Sequence, residues 1–209
     1  MTPIVIAARG GPEAKSRLAG VLGPEQRQGL TAAMLGAMLR RLGPARCHVV
    51  SPTEALLALA ASLGSAPIRQ RGGDLNSAFE QARATCAGPV ILLPGDLPLI
   101  APEDIDAVEA AARGADLVLS PATADGGTAC IALPSPIAYR MAFGPDSFVR
   151  HRLQAEARGL VPAIVRRPAL GQDIDRPEDL PLLDRLADLD PVFGASWGSV
   201  GQPMLSEAV

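Results

Sequence analysis

Two acidic stations, far apart in the chain, hold the residues best suited to chemistry. The first is Asp96, within Leu93-Pro94-Gly95-Asp96-Leu97-Pro98 and directly behind the apolar run Val90-Ile91-Leu92-Leu93. The second is Asp173-Ile174-Asp175, just ahead of Pro177-Glu178-Asp179. In extended chain, residues two apart face the same side, so Asp173 and Asp175 can chelate together. A strand-end aspartate joined by such a pair makes an oxygen-rich site for Mg2+ or Mn2+, ions that suit phosphates. Positive charge comes from Arg9, Lys15 and Arg17, in the loop after the first expected strand. Carboxylates for a divalent ion and cations for phosphate together predict an enzyme that transfers a nucleotidyl group.

Each feature also has a plainer reading. Asp96 can serve as a turn carboxylate, although the flanking prolines fix the turn without supplying donors and so favour a ligand. Asp175 suits capping and ligation equally, Asp179 reads as a helix cap, and Asp173 lies too early to cap. In the first loop Gly10 and Gly11 let the backbone approach phosphate oxygens. It matches neither the P-loop nor the dinucleotide fingerprint, and alone it reads more readily as an exposed basic loop with no ligand. Phe143-Gly144-Pro145-Asp146-Ser147-Phe148-Val149-Arg150-His151 is a glycine turn entering a helix. Its N-terminus, with the Ser147 hydroxyl and Arg150 nearby, suits an anion, and a plain cap by Asp146 or Ser147 accounts for it as well. Asp125-Gly126-Gly127-Thr128 is either a hairpin turn or a place where backbone approaches substrate. His48, inside an expected strand, reads as a core or edge residue.

These residues need a scaffold. Apolar runs predict buried strands over 3–8, 47–51, 66–70, 90–93 and 116–120, continuous enough for a parallel sheet covered on both faces. Helical patterns lie between them, over about 24–42, 53–63, 75–86 and 102–114, with Pro24 and Pro102 at N-terminal positions and Asp74 as a cap. The alternation predicts an α/β three-layer sandwich with a mainly parallel twisted sheet. After Pro121 the order changes: strands are expected over 128–133 and 162–166, and helices over 147–158 and 177–187, with Pro181 able to delay the last. Residues 1–189 are expected to form one domain. Residues 190–209 have weak periodicity and are expected to form a tail or loose arm.

Composition narrows the classes. A net charge of −3 argues against sequence-independent nucleic-acid binding, which needs a basic face, but leaves room for a small anionic ligand beside a local basic loop. Cys47, Cys86 and Cys130 are too scattered for a disulfide framework, and no C-x-x-C pair suggests zinc. The start reads as a strand and not a signal peptide, and no run approaches the ~18 apolar residues of a membrane span. A cytoplasmic location is expected, with no nucleic-acid or membrane partner; a homodimer stays open.

Taken in order, Ala14-Lys15-Ser16-Arg17-Leu18, Gly73-Asp74-Leu75-Asn76, Pro94-Gly95-Asp96-Leu97-Pro98, Asp125-Gly126-Gly127-Thr128, the Phe143–His151 stretch and Asp173-Ile174-Asp175-Arg176-Pro177-Glu178-Asp179-Leu180 resemble the 2-phospho-L-lactate guanylyltransferase family. That resemblance spans about residues 3–185 and rests on the ordered set, since each motif alone is weak. It implies a nucleotide-diphospho-sugar-transferase-like fold and a role in deazaflavin coenzyme biosynthesis. It also implies GTP, Mg2+ and a small phosphorylated three-carbon acid: 2-phospholactate, phosphoenolpyruvate or 3-phosphoglycerate. By the same resemblance Ala8, Arg9, Lys15, Arg17, Gly73, Asn76 and Asp96 would meet the nucleotide, with Lys15 on its phosphates. Lys15 and Asp96 would be catalytic, and Asp96, Asp173 and Asp175 would hold the metal. Thr128, Gly144 and Ser147, supported by Arg150, would hold the acid. The chain departs from the family in two places. Ala7-Ala8-Arg9 stands where Pro-Val-Lys is usual, and Ala129 stands where asparagine is common. Rival readings are a molybdenum-cofactor or sugar-phosphate nucleotidyltransferase of the same fold, and a non-catalytic nucleotide-binding regulator.

Overall fold

A computed structural model describes residues 1–200. Strands β1 (Ile4–Ala7), β2 (Cys47–Ser51), β3 (Ala66–Arg69), β4 (Val90–Pro94), β5 (Leu117–Pro121), β6 (Thr128–Leu133) and β7 (Pro162–Ile164) form one sheet in the order β3-β2-β1-β4-β6-β5-β7. Neighbours are parallel except around β6, which runs antiparallel to both β4 and β5. The expected α/β sandwich is therefore the architecture found, and the expected strands match to within two residues at their ends.

Residue alternation in β1 explains the layers. Ile4 and Ile6 face one core, with Leu35, Met38 and Leu39 of α1 (Pro24–Leu42), Leu56 of α2 (Glu54–Ser62) and Ile105 of α4 (Pro102–Ala112). Val5 and Ala7 face the other, with Phe79 of α3 (Leu75–Arg83) and Ala155 of α5 (Ser147–Glu156). Both faces of the strand are dry, so the continuous apolar run is what its position demands. A four-residue helix α6 (Pro168–Gly171), absent from the sequence reading, carries Leu170 into the first core.

A third core forms at one side of the sandwich. The chain passes a short 3-10 turn at Pro177–Asp179, and Pro181 delays the helix, which becomes α7 (Leu182–Leu189). A further helix, α8 (Pro191–Val200), follows at once. Phe193 and Trp197 are buried with Leu30 and Met34 of α1 and Leu183 and Leu186 of α7. Arg40 of α1 binds the Asp190 carboxylate through two nitrogens, at 3.0 and 2.7 Å. Residues 190–198 are thus docked against the domain, contrary to the expected loose arm. Their apolar content is carried by two aromatics one helical turn apart in a Gly- and Ser-rich setting. The rest of that expected tail, 201–209, lies outside the described residues.

The topology locates a crevice. The chain winds outward from β1 to β3, then returns to lay β4 on the other flank of β1, and ligands of open α/β sheets gather at such a reversal, beyond the carboxyl ends of the strands. Because β6 is reversed, its first residue, Thr128, arrives at the same rim as the last residues of β1 and β4. Gly95 closes the floor. Its N–H donates to the Ala7 carbonyl at 2.8 Å. A Cβ there would lie 2.7 Å from the Ala8 Cβ and 3.0 Å from the Ala7 carbonyl oxygen. Gly95→Ala should therefore cost about 1–3 kcal/mol through overpacking, seen as a lower urea midpoint. Gly88→Ala, where nothing lies within 4 Å of the added carbon, serves as the control. Equal midpoints for the two variants would refute the close-approach argument.

Candidate active site

Lys15 is the centre of the site. Its backbone is left-handed (φ 51°), one of two non-glycine positive φ values among the described residues, the other being Asp146 (φ 54°). Such a conformation persists only where the surroundings impose it. Here Leu18, fully buried, pins the short helical turn that follows Lys15. Arg27 of α1 pins the loop before it. That buried guanidinium donates to the carbonyls of Pro12 (2.7 Å), Ala14 (3.0 Å) and Leu22 (2.9 Å). The sequence reading missed Arg27; its signal was a charge on the helical stripe that continues through Thr31 and Met34.

The Lys15 ammonium lies 2.7 Å from Asp96 Oδ2 and 3.6 Å from Asp175 Oδ1, with its side chain only 8% exposed. Burial works against its charge. The neighbouring Asp96, by charge and hydrogen bond, and then Asp175 and Asp173, outweigh burial and hold the pKa above its ordinary value. Asp173 is pushed up to about 6, by burial first and by the Asp96 charge next. Arg17 pairs with Asp175 from the exposed side. The two acidic stations are joined through the backbone, since the Ile174 N–H donates to the Asp96 carbonyl at 3.2 Å. Ile174 itself is buried in the third core, which leaves Asp173 and Asp175 on its two sides free to face the crevice.

Among the described residues no three His, Cys, Asp or Glu side chains close into a metal cage. The three aspartates are gathered around Lys15 instead. Their chemistry nevertheless fits a hard cation: all donors are carboxylate oxygens, and three carboxylates stand around one buried ammonium.

Two cavities meet at Asp96. The larger, about 320 Å3, is lined by Ala7, Ala8, Arg9, Lys15, Gln70, Gly95, Asp96 and Asp175 among others. The smaller, about 150 Å3, is lined by Asp96, Asp125, Gly127, Thr128, Ala129, Phe143, Gly144 and Asp173 among others. Arg9 reaches across the mouth of the first to the Gly73 carbonyl, at 2.7 Å. Gln70, not singled out from sequence, donates to the carbonyls of Gly72, Gly73 and Asp74 at 3.0, 3.2 and 3.0 Å and so shapes that wall.

Three expected contacts are placed differently. Asn76 does not face the larger cavity with free groups: its amide accepts from the Phe143 N–H (2.6 Å) and donates to the Phe143 carbonyl (3.3 Å). It braces α3 against the acid-side loop. Ser147 is fully buried and lies behind Thr128, whose N–H donates to its hydroxyl at 2.8 Å. Arg150 donates to the carbonyls of Pro145 (2.7 Å) and Ala142 (3.1 Å), holding the turn together. The amides at the start of α5 are likewise taken, Asp146 by Asp125, Ser147 by Gly144 and Phe148 by Gly126. The expected free helix N-terminus is thus stitched to the Asp125–Gly126 turn. Thr128 and Gly144 do line the smaller cavity.

The family described as "Guanylyl transferase CofC like" matches residues 2–183. A protein of Phenylobacterium zucineum named 3-phospho-D-glycerate guanylyltransferase is 44% identical over 191 residues, covering 86% of this chain and 88% of that one. A phosphoenolpyruvate guanylyltransferase of Rubrobacter xylanophilus is 44% identical over 179 residues, covering 82% and 87%. A 2-phospho-L-lactate guanylyltransferase of Methanothermobacter thermautotrophicus is 38% identical over 175 residues, covering 80% and 77%. Among solved structures, a Desulfovibrio desulfuricans protein assigned to the nucleotide-diphospho-sugar transferases superimposes with TM-score 0.74 at 20% identity, over 96% of this chain and 99% of that one. At that identity the likeness speaks for the fold alone.

Proposed function

The chain belongs to the CofC-like guanylyl transferase family, and from that premise we propose that it moves GMP from GTP onto a small phosphorylated three-carbon acid, releasing pyrophosphate, as a step in deazaflavin coenzyme biosynthesis. The acid is 3-phosphoglycerate, phosphoenolpyruvate or 2-phospholactate, the substrates for which its relatives are named. The observation that supports this best is the meeting of a larger and a smaller cavity at Asp96, beside a buried lysine. The larger cavity suits the nucleotide, the smaller one the acid.

In the reaction, an oxygen of the acid's phosphate attacks the α-phosphorus of GTP. The new P–O bond forms as the bond to the β-phosphate oxygen breaks, and pyrophosphate leaves with that electron pair. The attacking oxygen is already ionised, so no strong general base is required. The chain's contribution is alignment and neutralisation of charge. Lys15 would hold the triphosphate, Arg9 and Arg17 would flank it, and the Thr128–Gly144 rim would hold the acid. Asp96, Asp173 and Asp175 would hold Mg2+ or Mn2+, which when bound neutralises charge on the phosphate oxygens. The smaller cavity has no lysine or arginine among its lining residues and three aspartates. An anionic acid therefore enters it only with a countercharge beside it.

The test is pyrophosphate release from each of four nucleoside triphosphates with each of the three acids. GTP with one of the acids should be turned over fastest, and only with a divalent ion present. Preference for CTP, or turnover of a sugar phosphate in place of the acids, would move the chain to one of the same-fold rivals. No turnover at all would favour a binding protein.

A further inference from the structure

Behind the smaller cavity lies a closed set of polar side chains, Thr128, Ser147 and His151. His151 is fully buried. Its ring lies between Tyr139 (centroids 5.9 Å apart) and the edge-on ring of Phe143 (5.2 Å). The Ala142 N–H donates to its Nε2 at 2.9 Å. An Nε2 that accepts has no proton of its own, so in the neutral ring the proton sits on Nδ1. Nδ1 lies 2.8 Å from Thr128 Oγ1 and donates to it. An imidazolium would set an N–H against the Ala142 N–H. Burial, and secondarily Arg150, accordingly hold the ring's pKa down at about 4.

The remaining bonds complete the count. Ser147 Oγ accepts from the Thr128 N–H and donates its own proton to Thr128 Oγ1 at 3.2 Å. A threonine hydroxyl offers two acceptor positions and one proton. His151 and Ser147 fill both acceptor positions. Among the described residues nothing accepts the Thr128 proton, and Thr128 lines the smaller cavity.

We propose that His151 is a positioning residue whose Nδ1–H, together with Ser147, fixes Thr128 as an obligate hydrogen-bond donor and so selects acceptor acids that present an ionised oxygen at that point. This rests on the assignment of the smaller cavity to the acid. A carboxylate or phosphate oxygen accepts from Thr128. A substrate group that is itself only a donor, such as an ammonium, faces a proton it cannot use, and both groups lose their hydration without return.

Two substitutions separate this role from a structural one. His151→Asn puts an amide N–H near the Nδ1 position and gives up the acceptor for Ala142. His151→Gln reaches the Nε2 position, keeps an acceptor for Ala142 and gives up the donor to Thr128. Steady-state kinetics with GTP and the acid that the unmodified enzyme prefers should show acceptor KM raised about tenfold in His151→Gln, the worth of one bond to a charged group, with GTP KM unmoved. His151→Asn should restore most of that loss. A residue that served only packing would lower the active fraction in both and leave KM alone, and KM rising equally in both, or in neither, overturns the proposal. If the unmodified enzyme turns over none of the three acids, the proposed function has failed instead, and the protonation of His151 is read independently of turnover.

A second measurement needs no activity and no variant at His151. Long-range 15N–1H spectra of the intact protein, with the second histidine assigned through His48→Gln, should show His151 protonated on Nδ1 alone at neutral pH. A proton on Nε2 would overturn the proposal whatever the kinetics.

Discussion

Asp96→Asn is expected to lower kcat/KM at least about 100-fold, the scale of removing a major electrostatic contributor to a transition state, while the protein stays folded. Asparagine keeps the shape of the side chain and removes its charge. Lys15 then loses the carboxylate 2.7 Å away and keeps Asp175, at 3.6 Å, and the weaker field of Asp173. The backbone bond from Ile174 to the Asp96 carbonyl is untouched, so the two acidic segments remain joined. Asp96 borders both cavities, so under the proposed assignment its loss should affect nucleotide and acid together. Pyrophosphate-release kinetics on the variant, with circular dichroism as the folding control, make the measurement. Near-normal rates in Asp96→Asn, or full activity of the unmodified enzyme in excess chelator, would sink the carboxylate site.

Lys15→Ala should separate the two substrates. Lys15 faces the larger cavity and is absent from the lining of the smaller one. Its removal should weaken GTP binding by about tenfold or more, about 1.4 kcal/mol per decade, and leave acceptor binding nearly unchanged when each is measured by calorimetry. Turnover should fall further than binding does, since a buried ammonium contributes most when charge shifts onto the leaving pyrophosphate. A variant that binds GTP normally but loses the acid would reverse the assignment of the cavities.

The expected parts of this fold were those written in local chemistry. Continuous apolar runs such as Ile4–Ala7 and Val90–Leu93 announce strands buried on both faces, and their flanking helices follow from spacing and proline starts. Strand direction is not written in periodicity. Thr128–Leu133 reads as a strand, but nothing in those six residues states that it runs backwards between β4 and β5. That reversal is what delivers Thr128 to the rim. The C-terminal helix escaped for another reason: glycine and serine have poor helix propensity, and burial of Phe193 and Trp197 overrides it.

The site was legible in the same uneven way. Charge types and order pointed to Lys15, Asp96, Asp173 and Asp175, which the fold brings together. Roles that depend on which way a side chain turns were not. Asn76 and Ser147 have the chemistry of ligand residues, yet each is held to its neighbours, Asn76 by the Phe143 backbone and Ser147 behind Thr128. The left-handed Asp146 and the Asp125–Gly126 turn fix the start of α5 and with it Ser147, and both are tertiary facts.

The chain has a single tryptophan, and Trp197 shares one core with Leu18 and Ile174. Leu18 underlies the lysine segment and Ile174 sits between two of the acidic residues. The fluorescence of that lone indole is therefore a built-in gauge of the floor beneath both segments. Ligand titrations can be followed optically on unlabelled protein, and loosening of the C-terminal helix can be told apart from melting of the sheet, which contains no indole.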